Sequence, residues 1–371
     1  MIRRKDHPKN NNMTKNYFIF ILLLISILMH KNIISSNFSK KNKRRICVIN
    51  LMNLQNVGNI LVKFSLYKQL KEFGFNTTIV ASVSSPKVNI SFLNRTTKLK
   101  VIKENFSSEL NEKDFDFIVL NSDQTWVYFD KRYFYDIAFL SFAKNWKIPK
   151  FIYGASIAYD KWFYTKKEEK IAKKLLKNFT GISFREKSLV RLAKKHLDIN
   201  GVFVLDPTLI IDKKYYLNEI KNYHTNMDLN DKFLFIYQLD KNHLIEKVIK
   251  DASEKFNYKI YKHNLKNGDY IESFLFGISN CQAVITDSFH GTAFSIKFNK
   301  PFLSFINRLR GKGRFDSLKE VFNLDNRIID TLNHSNSIDI NLLNKPLNLN
   351  NTLFYELQNF SLNYLKRNLN L

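Results

Sequence analysis

Residues 283–296 read AVITDSFHGTAFSI, and their change of pattern decides the fold. The segment opens with a short apolar run that is typical of a buried strand, and then breaks into small and polar residues. It resumes as an apolar helical pattern that ends near Lys297, and the run 300–305 predicts the next strand. A strand, a loop, a helix and a second strand in this order indicate parallel strands in an α/β fold.

The loop of this unit carries the first candidate functional residues. Ser288, His290, Gly291 and Thr292 follow the strand, and open α/β sheets bind ligands at the carboxyl ends of their strands. The same residues lie at a helix N-terminus, whose free N–H groups and dipole favour an anion. Gly291 would let the backbone approach a ligand closely, and histidine is the residue type that changes charge near neutral pH. The alternative is that Asp287 and Ser288 only cap the helix while His290 packs in the core.

Apolar strands and helical patterns alternate along most of the chain. Further strands are predicted at 46–51, 77–81, 115–120, 151–156, 233–237 and 258–261, and helices at 60–73, 166–178, 187–196, 242–256, 269–279 and 351–367. Two α/β halves of this size indicate two facing Rossmann-like domains with a cleft between them. We place the N-terminal domain at 45–205, the C-terminal domain at 206–345 and a C-terminal helix at 346–371.

Residues 1–44 form a basic and hydrophobic N-terminal segment. Its apolar run at 17–29 is shorter than the about twenty residues of a spanning helix, unless it extends to residue 34. No small-x-small cleavage site follows, and basic residues flank the run on both sides. A membrane anchor, a cleaved signal peptide and an interfacial segment or over-extended start stay open. We expect membrane association through residues 17–34, or a cytoplasmic protein if this segment does not insert.

The formal net charge of +26 raises the possibility of a nucleic-acid partner. Residues 1–45 hold eleven Lys and Arg and one acid, so this segment carries +10 of that charge. The remaining positive charge is scattered, and no recognised nucleic-acid-binding module accompanies it. A non-catalytic basic protein that binds nucleic acid or an anionic membrane is therefore disfavoured, and we expect no nucleic-acid partner.

The chain lacks the sequence signatures of several other chemistries. It has no GxGxxG motif, no Walker loop and no GxSxG elbow, which disfavours a dinucleotide cofactor and a serine hydrolase. It has no HExxH or CxxC motif, so we expect no metal site. Cys47 and Cys281 lie in apolar runs and are predicted to be buried thiols, not a disulfide.

Six blocks of sequence resemble the polysaccharide pyruvyl transferase family and occur in the order found there. The blocks are 56–59 (NVGN), 121–126 (NSDQTW), 153–156 (YGAS), 182–186 (ISFRE), 205–209 (LDPTL), and 286–292 (TDSFHGT) with 299–302 (NKPF). The resemblance covers roughly residues 45–330. It implies two facing Rossmann-like domains, similar to the glycosyltransferase B-type fold. It also implies transfer of a pyruvyl group from phosphoenolpyruvate to two hydroxyls of a sugar, which forms a pyruvate ketal.

The resemblance also implies roles for particular residues. His290 is expected to bind the phosphate and to act as the general acid. Arg185 has a planar fork that suits a carboxylate or a phosphate, although an ion pair with Glu186 or Asp206 is the alternative. Asp123 is expected to accept a proton from the sugar hydroxyl, or else to accept hydrogen bonds from loop amides.

Further binding residues fall on two sides of the cleft. Ser288, Gly291 and Thr292 are expected on the donor side. Asn56 and Asn59 are expected on the acceptor side, with a plain turn as the alternative. Some members of the family carry an arginine two residues before the histidine, where this chain has Ser288, so one cationic contact is expected to be missing.

The expected partners are phosphoenolpyruvate as donor substrate, without a further cofactor, and a glycan or lipid-linked sugar as acceptor. Phosphoenolpyruvate is a cytosolic metabolite, which fits a membrane anchor that holds the enzyme beside a glycan assembly site. A nucleotide-sugar glycosyltransferase on the same two-domain plan is the alternative, because the same helix N-terminus could hold a diphosphate.

Overall fold

The computed structural model describes residues 43–52, 56–83, 91–127, 134–224, 231–263, 270–331 and 338–371. Arg44–Leu371 form one compact unit. The predicted membrane contact at 17–34 lies outside the described residues. Within the described ranges, no helix has the length and apolar character needed to cross a bilayer.

The first sheet contains seven parallel strands from the described part of the chain. They are β1 (Arg45–Met52), β2 (Asn76–Val83), β3 (Leu99–Ile102), β4 (Phe117–Leu120), β5 (Lys150–Ala155), β6 (Gly181–Phe184) and β7 (Val202–Phe203). Their order is β3-β2-β1-β4-β5-β6-β7. The order reverses between β1 and β4, so the carboxyl ends of these strands flank a crevice where α/β sheets bind ligands.

The second sheet contains five parallel strands among the described residues. They are β8 (Phe233–Tyr237), β9 (Lys259–Lys262), β10 (Ala283–Thr286), β11 (Phe302–Ile306) and β12 (Ile328–Asp330). Their order is β12-β11-β10-β8-β9, with the reversal between β8 and β10. The carboxyl end of β10, where the opening sequence breaks, therefore lies at the reversal point of this sheet.

Helices connect the strands in both halves. The α-helices are α1 (Val57–Glu72), α2 (Ser91–Thr96), α3 (Phe106–Glu109), α4 (Phe134–Phe139), α5 (Lys166–Leu176), α6 (Lys187–Leu197), α7 (Pro207–Ile210), α8 (Lys214–Glu219), α9 (His243–Phe256), α10 (Tyr270–Asn280), α11 (Phe289–Lys297), α12 (Gly313–Phe322) and α13 (Asn351–Asn368). Short 3-10 helices occur at Glu112–Asp114, Ser141–Ala143, Arg308–Arg310 and Ile340–Asn344.

The two sheets share one hydrophobic core. In β1, Ile46 and Val48 belong to this shared core, whereas Cys47 and Ile49 belong to a second core on the opposite face of the sheet. This division follows from the alternation of side chains along a strand. Helices α1 and α11 both contribute to the shared core, and a third core covers the other face of the second sheet. As predicted, Cys47 and Cys281 are buried free thiols.

The C-terminal helix α13 closes the fold over both halves. Its Tyr364 hydroxyl donates to the Ile152 carbonyl at 2.7 Å, and the Leu205 amide donates to Ser361 Oγ at 3.0 Å. On the other half, the ring of Phe354 in α13 contacts the ring of Phe322. The expected α/β class with two Rossmann-like halves is confirmed. The domain boundary near residue 206 stays a prediction.

Candidate functional site

The first site element is the amino-terminal turn of α11. The sequence places His290, Gly291 and Thr292 at a helix N-terminus, and they lie in this first turn, after Ser288 at the N-cap position. The Ser288 side chain makes no capping hydrogen bond, so the capping alternative for this serine is wrong. The helix begins at Phe289 and ends at Lys297, where the sequence predicts its end.

Gly291 and Thr292 have internal packing partners. A Cβ at Gly291 would come within 2.2 Å of Thr286 Oγ1, so the glycine makes room for the strand that precedes the helix. The Thr292 hydroxyl donates to the Ser288 carbonyl at 3.0 Å and lies 2.6 Å from Ser304 Oγ. These contacts give both residues a role in positioning α11, and their direct contact with a ligand stays a prediction.

The amino terminus of α1 lies against the same turn. Asn56 is the N-cap of α1, and its side chain accepts a hydrogen bond from the Gly58 amide at 2.8 Å. A Cβ at Gly58 would lie 1.8 Å from His290 Nδ1, so only glycine leaves room for the imidazole. The first turns of two helices therefore meet at His290. Their N-terminal dipoles both favour negative charge there.

His290 is buried, with 4% of its surface exposed. Among the described residues, its Nε2 atom has no hydrogen-bond partner, and it lies 3.8 Å from Asp206 Oδ2. The same Asp206 oxygen accepts from Arg185 Nη1 at 2.5 Å, and the other accepts from the Thr208 amide and hydroxyl. Burial would raise the pKa of Asp206, but His290 and Arg185 hold it well below its usual range. His290 thus has an ionised carboxylate beside it and one uncommitted nitrogen.

Arg185 connects two carboxylates. Its Nη1 donates to Asp206, and its Nη2 donates to Asp123 Oδ1 at 3.0 Å. The ion-pair alternative is therefore realised with Asp206, whereas Glu186 accepts hydrogen bonds from Ser156 and two backbone amides. The buried Nε of Arg185 has no acceptor among the described residues, so a ligand contact stays a prediction.

Asp123 follows β4 and has a backbone φ of +133°, which side chains rarely adopt. Such a conformation costs about 1–3 kcal/mol and occurs often at functional sites. Burial would raise the pKa of Asp123, but Arg185, His290 and Lys63 together lower it to about 2. A carboxylate with this pKa is a weak general base near neutral pH. The predicted role of Asp123 as proton acceptor stays a prediction, and its contacts orient Arg185.

Lys63 was missed from the sequence. It lies in α1 with 1% of its surface exposed, and its ammonium group donates to both oxygens of Asn59. The Asn59 side-chain amide then donates to Asp123. Burial lowers the pKa of Lys63 to about 7, with Asp123 opposing the shift. Asn59 therefore links the buried Lys63 to the buried Asp123 by hydrogen bonds.

Arg314, at the start of α12, was also missed. It is 6% exposed, and its Nη2 donates to the Arg310 carbonyl. Its Cζ lies 5.2 Å from the centre of the Phe289 ring, and Arg185 Cζ lies 5.1 Å from the same centre. We use the name buried cluster for the following set: Asn59, Lys63, Asp123, Arg185, Asp206, His290 and Arg314.

A cavity of about 640 Å³ lies at the carboxyl ends of the second sheet. Two ion pairs line or border it, with two hydrogen bonds in each: Arg310 with Asp240, and Arg308 with Asp330. We call these four residues the cavity rim. The Arg310 carbonyl also accepts from Gln124 at 3.0 Å, so the rim lies beside the first half of the molecule.

Solved structures with the same architecture include enzymes that bind nucleotide sugars. The UDP-GlcNAc 2-epimerase of Neisseria meningitidis, solved with UDP-GlcNAc, has a TM-score of 0.57 and 10% identity over 87% of this chain and 100% of its own. The epimerase of Methanocaldococcus jannaschii has a TM-score of 0.51 and 13% identity over 83% of this chain and 95% of its own. Arabidopsis thaliana UGT89C1, solved with UDP-L-rhamnose, has a TM-score of 0.50 and 8% identity over 86% and 94%.

These identities are low, so the likeness is one of fold, and the predicted similarity to the glycosyltransferase B-type fold is confirmed. No match was found among curated proteins. The family model for polysaccharide pyruvyl transferase matches residues 56–308, which include every member of the buried cluster except Arg314. Because this match covers most of the chain, the protein belongs to the polysaccharide pyruvyl transferase family and is a pyruvyltransferase.

Proposed function

We propose that this protein transfers the pyruvyl group of phosphoenolpyruvate to two hydroxyls of one sugar residue, forms a pyruvate ketal and releases phosphate. The acceptor is a glycan or a lipid-linked sugar, and the proposal includes no metal or cofactor. Membership of the family supports pyruvyl transfer to a glycan. The observation that carries the proposal is the buried Nε2 of His290, which has no acceptor among the described residues and lies 3.8 Å from Asp206.

The environment of His290 suits a small polyanion. The first turns of α1 and α11 meet there, and helix N-termini attract phosphate and carboxylate groups. Arg185 adds a guanidinium group whose Nε is not committed within the described structure. Phosphoenolpyruvate carries a phosphate and a carboxylate next to its reactive carbon. Binding of these two groups would orient that carbon, and positioning supplies much of the rate enhancement in such reactions.

The proton balance of the reaction gives His290 its role. The two sugar hydroxyls lose one proton each, the methylene carbon gains one to become a methyl group, and the released phosphate gains the other. His290 is suited to donate to the leaving phosphate because its buried Nε2 makes no hydrogen bond among the described residues and lies 3.8 Å from the Asp206 carboxylate. General acid catalysis of this kind contributes about 10²–10⁴-fold.

The test is phosphate release from phosphoenolpyruvate in the presence of extracted glycans and lipid-linked sugars. We expect release that depends on the acceptor and equals the pyruvate ketal formed. The alternative is a nucleotide-sugar glycosyltransferase, which the fold of the structural neighbours permits. Release of nucleotide from a nucleotide sugar, with no phosphate from phosphoenolpyruvate under any acceptor, would replace our proposal with this alternative.

We also propose that residues 17–34 hold the enzyme at a membrane beside its acceptor. The proposal rests on the apolar run in that segment and the basic residues around it. Cell fractionation of the full chain and of a variant without residues 1–44 tests it. The full chain is expected with the membranes and the shortened chain in the soluble fraction, and equal distribution of both would contradict it.

A further inference from the structure

Arg314 is a buried cation that forms no salt bridge within the described part of the chain. Its guanidinium makes no ion pair with any carboxylate of the described chain, and its Nε is buried without an acceptor. A buried charge of this kind is costly, because the protein does not replace the water that it loses. Burial, and then the neighbouring Arg185, lower the pKa of Arg314 to about 10, which is the direction expected for a cation that lacks a partner.

The carboxylates near Arg314 are already occupied. Asp206 accepts from Arg185 and Thr208. Asp123 accepts from Arg185, from Asn59 and from a backbone amide. Glu186 accepts from a serine hydroxyl and two backbone amides, and burial raises its pKa. These three carboxylates act on Arg314 through space, but none of them accepts a hydrogen bond from its guanidinium.

Arg327 shows what a structural arginine looks like in the same half. It is also buried, at 5% exposure, but its two Nη atoms donate to the carbonyls of Phe302, Leu342, Lys345 and Pro346. These bonds join β11 and the residue before β12 to the last 3-10 helix and to the segment that follows it. Arg314 has one backbone acceptor, the Arg310 carbonyl, so fold support alone does not explain its burial.

Arg314 lies beside the residues that handle the donor. Its Cζ and that of Arg185 lie 5.2 and 5.1 Å from the ring centre of Phe289, which directly precedes His290. The ring centre of Phe289 lies 5.2 Å from that of His290. Arg185 is already shared by two aspartates through its two Nη atoms, and its buried Nε has no acceptor among the described residues. A donor with two anionic groups needs a second cation, and Arg314 is available for that purpose.

We propose that Arg314 is the second guanidinium of the donor site and binds the carboxylate of phosphoenolpyruvate, while His290 and Arg185 hold its phosphate. This inference rests on the proposed function. A planar fork matches the geometry of a carboxylate, which a lysine ammonium does not. The enzyme would therefore distinguish phosphoenolpyruvate from phosphate esters that lack the carboxylate.

The experiment compares the affinity of the full chain for phosphoenolpyruvate and for inorganic phosphate by calorimetry. Arg314→Gln is expected to weaken phosphoenolpyruvate binding by about 10- to 100-fold, the range for a hydrogen bond to a charged group. Its affinity for inorganic phosphate is expected to stay within about threefold of wild type, which also shows that the variant folds. In the assay, KM for the donor should rise more than kcat falls.

Two further variants separate charge from geometry. Arg314→Lys keeps the charge and should recover part of the lost affinity for phosphoenolpyruvate. Arg191→Gln removes an exposed arginine on α6 and should leave both affinities unchanged. Equal losses for both ligands in Arg314→Gln, or no loss for either, would overturn the inference while wild type still uses phosphoenolpyruvate. If wild type neither binds nor turns over phosphoenolpyruvate, the proposed function fails, and this inference fails with it.

Discussion

The buried cluster and the cavity rim both place arginines at the carboxyl ends of strands, but they treat the charges differently. In the rim, Arg308 and Arg310 are 40% and 43% exposed, and each forms two hydrogen bonds with its own aspartate. In the cluster, Arg185 and Arg314 are buried, and each keeps an Nε without an acceptor among the described residues. The Nε2 atom of the nearby His290 likewise has no hydrogen-bond partner in the described ranges.

The difference shows which polar groups remain available to bind a ligand. Exposed ion pairs contribute about 0–1 kcal/mol, and solvent can replace either partner. Buried N–H groups without acceptors cost free energy until a ligand supplies the missing oxygen atoms. We therefore infer that the rim residues have a structural role at the border of the cavity. The buried cluster is the part of the molecule suited to bind an anion.

The largest expected effect comes from His290→Ala. Removal of the imidazole eliminates the proposed general acid, so kcat should fall by about 10²–10⁴-fold. The thermal unfolding midpoint serves as the check on folding. His196→Ala is a matched control, because His196 is stacked on Trp162 and bonded to Glu169 away from the cluster. Retention of a tenth or more of wild-type activity in His290→Ala would remove this residue from the chemistry.

A smaller loss is expected when His290 is displaced without being removed. In Gly58→Ala the new methyl group would overlap the imidazole, since its position is 1.8 Å from Nδ1. We expect kcat to fall by about 10- to 100-fold, because misplacement of a catalytic group by about 1 Å has effects of this size. Gly74→Asn, just beyond the other end of α1, adds a side chain where a Cβ would meet nothing within 4 Å. Equal activities in these two variants would contradict the close packing of the two helix termini.

Lys63→Met tests the charge balance of the cluster through stability. Wild-type Lys63 loses its proton near pH 7 in the folded state but near its ordinary pKa of 10.5 when unfolded. Between these values the unfolded state binds more protons, so the free energy of unfolding rises with pH. The rise from pH 7 to pH 8 should be about 1 kcal/mol larger in wild type than in Lys63→Met.

The measurement is urea unfolding at the two pH values. Lys68→Met is the control, because this lysine lies in the same helix and pairs with Glu219 at 3.4 Å near the surface. It should keep the wild-type rise. The same rise in Lys63→Met as in wild type would contradict the lowered pKa of Lys63.

The smallest effect is expected in the cavity rim. Arg310→Gln removes one partner of the ion pair with Asp240, in which both side chains are open to solvent. The free energy of unfolding should change by about 1 kcal/mol or less, because water replaces the lost interaction. A decrease of several kcal/mol in the free energy of unfolding, measured with denaturant, would contradict the view that the rim ion pairs are weak because solvent reaches them.

Much of the fold follows from local patterns. The switch from the apolar run at 283–286 to the helical pattern predicts β10 and α11, and the structure has both. The helix limits are less accurate, since α1 begins at Val57 and not at residue 60. The difference arises because Asn56 caps the helix through the Gly58 amide, and Gly58 and Asn59 are polar or small residues inside the first turn.

The candidate site can be predicted only in part from the sequence, because the burial and the ion pairs of its side chains depend on segments that are distant in the chain. His290, Arg185 and Asp123 could be chosen from short motifs. In the structure Asp206 lies beside His290 and accepts from Arg185, which also donates to Asp123. In the sequence, Lys63 resembles a lysine on the polar, solvent-facing side of an amphipathic helix. It is buried because α1 joins the core that both sheets share. The continuous apolar and small residues at 57–62 were the available signal.

Arg314 gives no such signal. It lies in a basic stretch at 308–314, where one arginine cannot be told from the next by composition. Its value as a ligand for an anion follows from the absence of an ion-pair partner within the described residues. That property belongs to the folded molecule and cannot be seen in any local pattern.

The most direct test of the central claim is proton NMR of the product formed from phosphoenolpyruvate and an acceptor glycan in D₂O. Our account predicts a ketal methyl group that carries deuterium from solvent, with phosphate released in equal amount. In His290→Ala we expect neither the ketal methyl signal nor the release of phosphate. A product that keeps the vinyl protons of the donor would contradict ketal formation. A product that contains a new glycosidic bond and no pyruvyl group would contradict the proposed function.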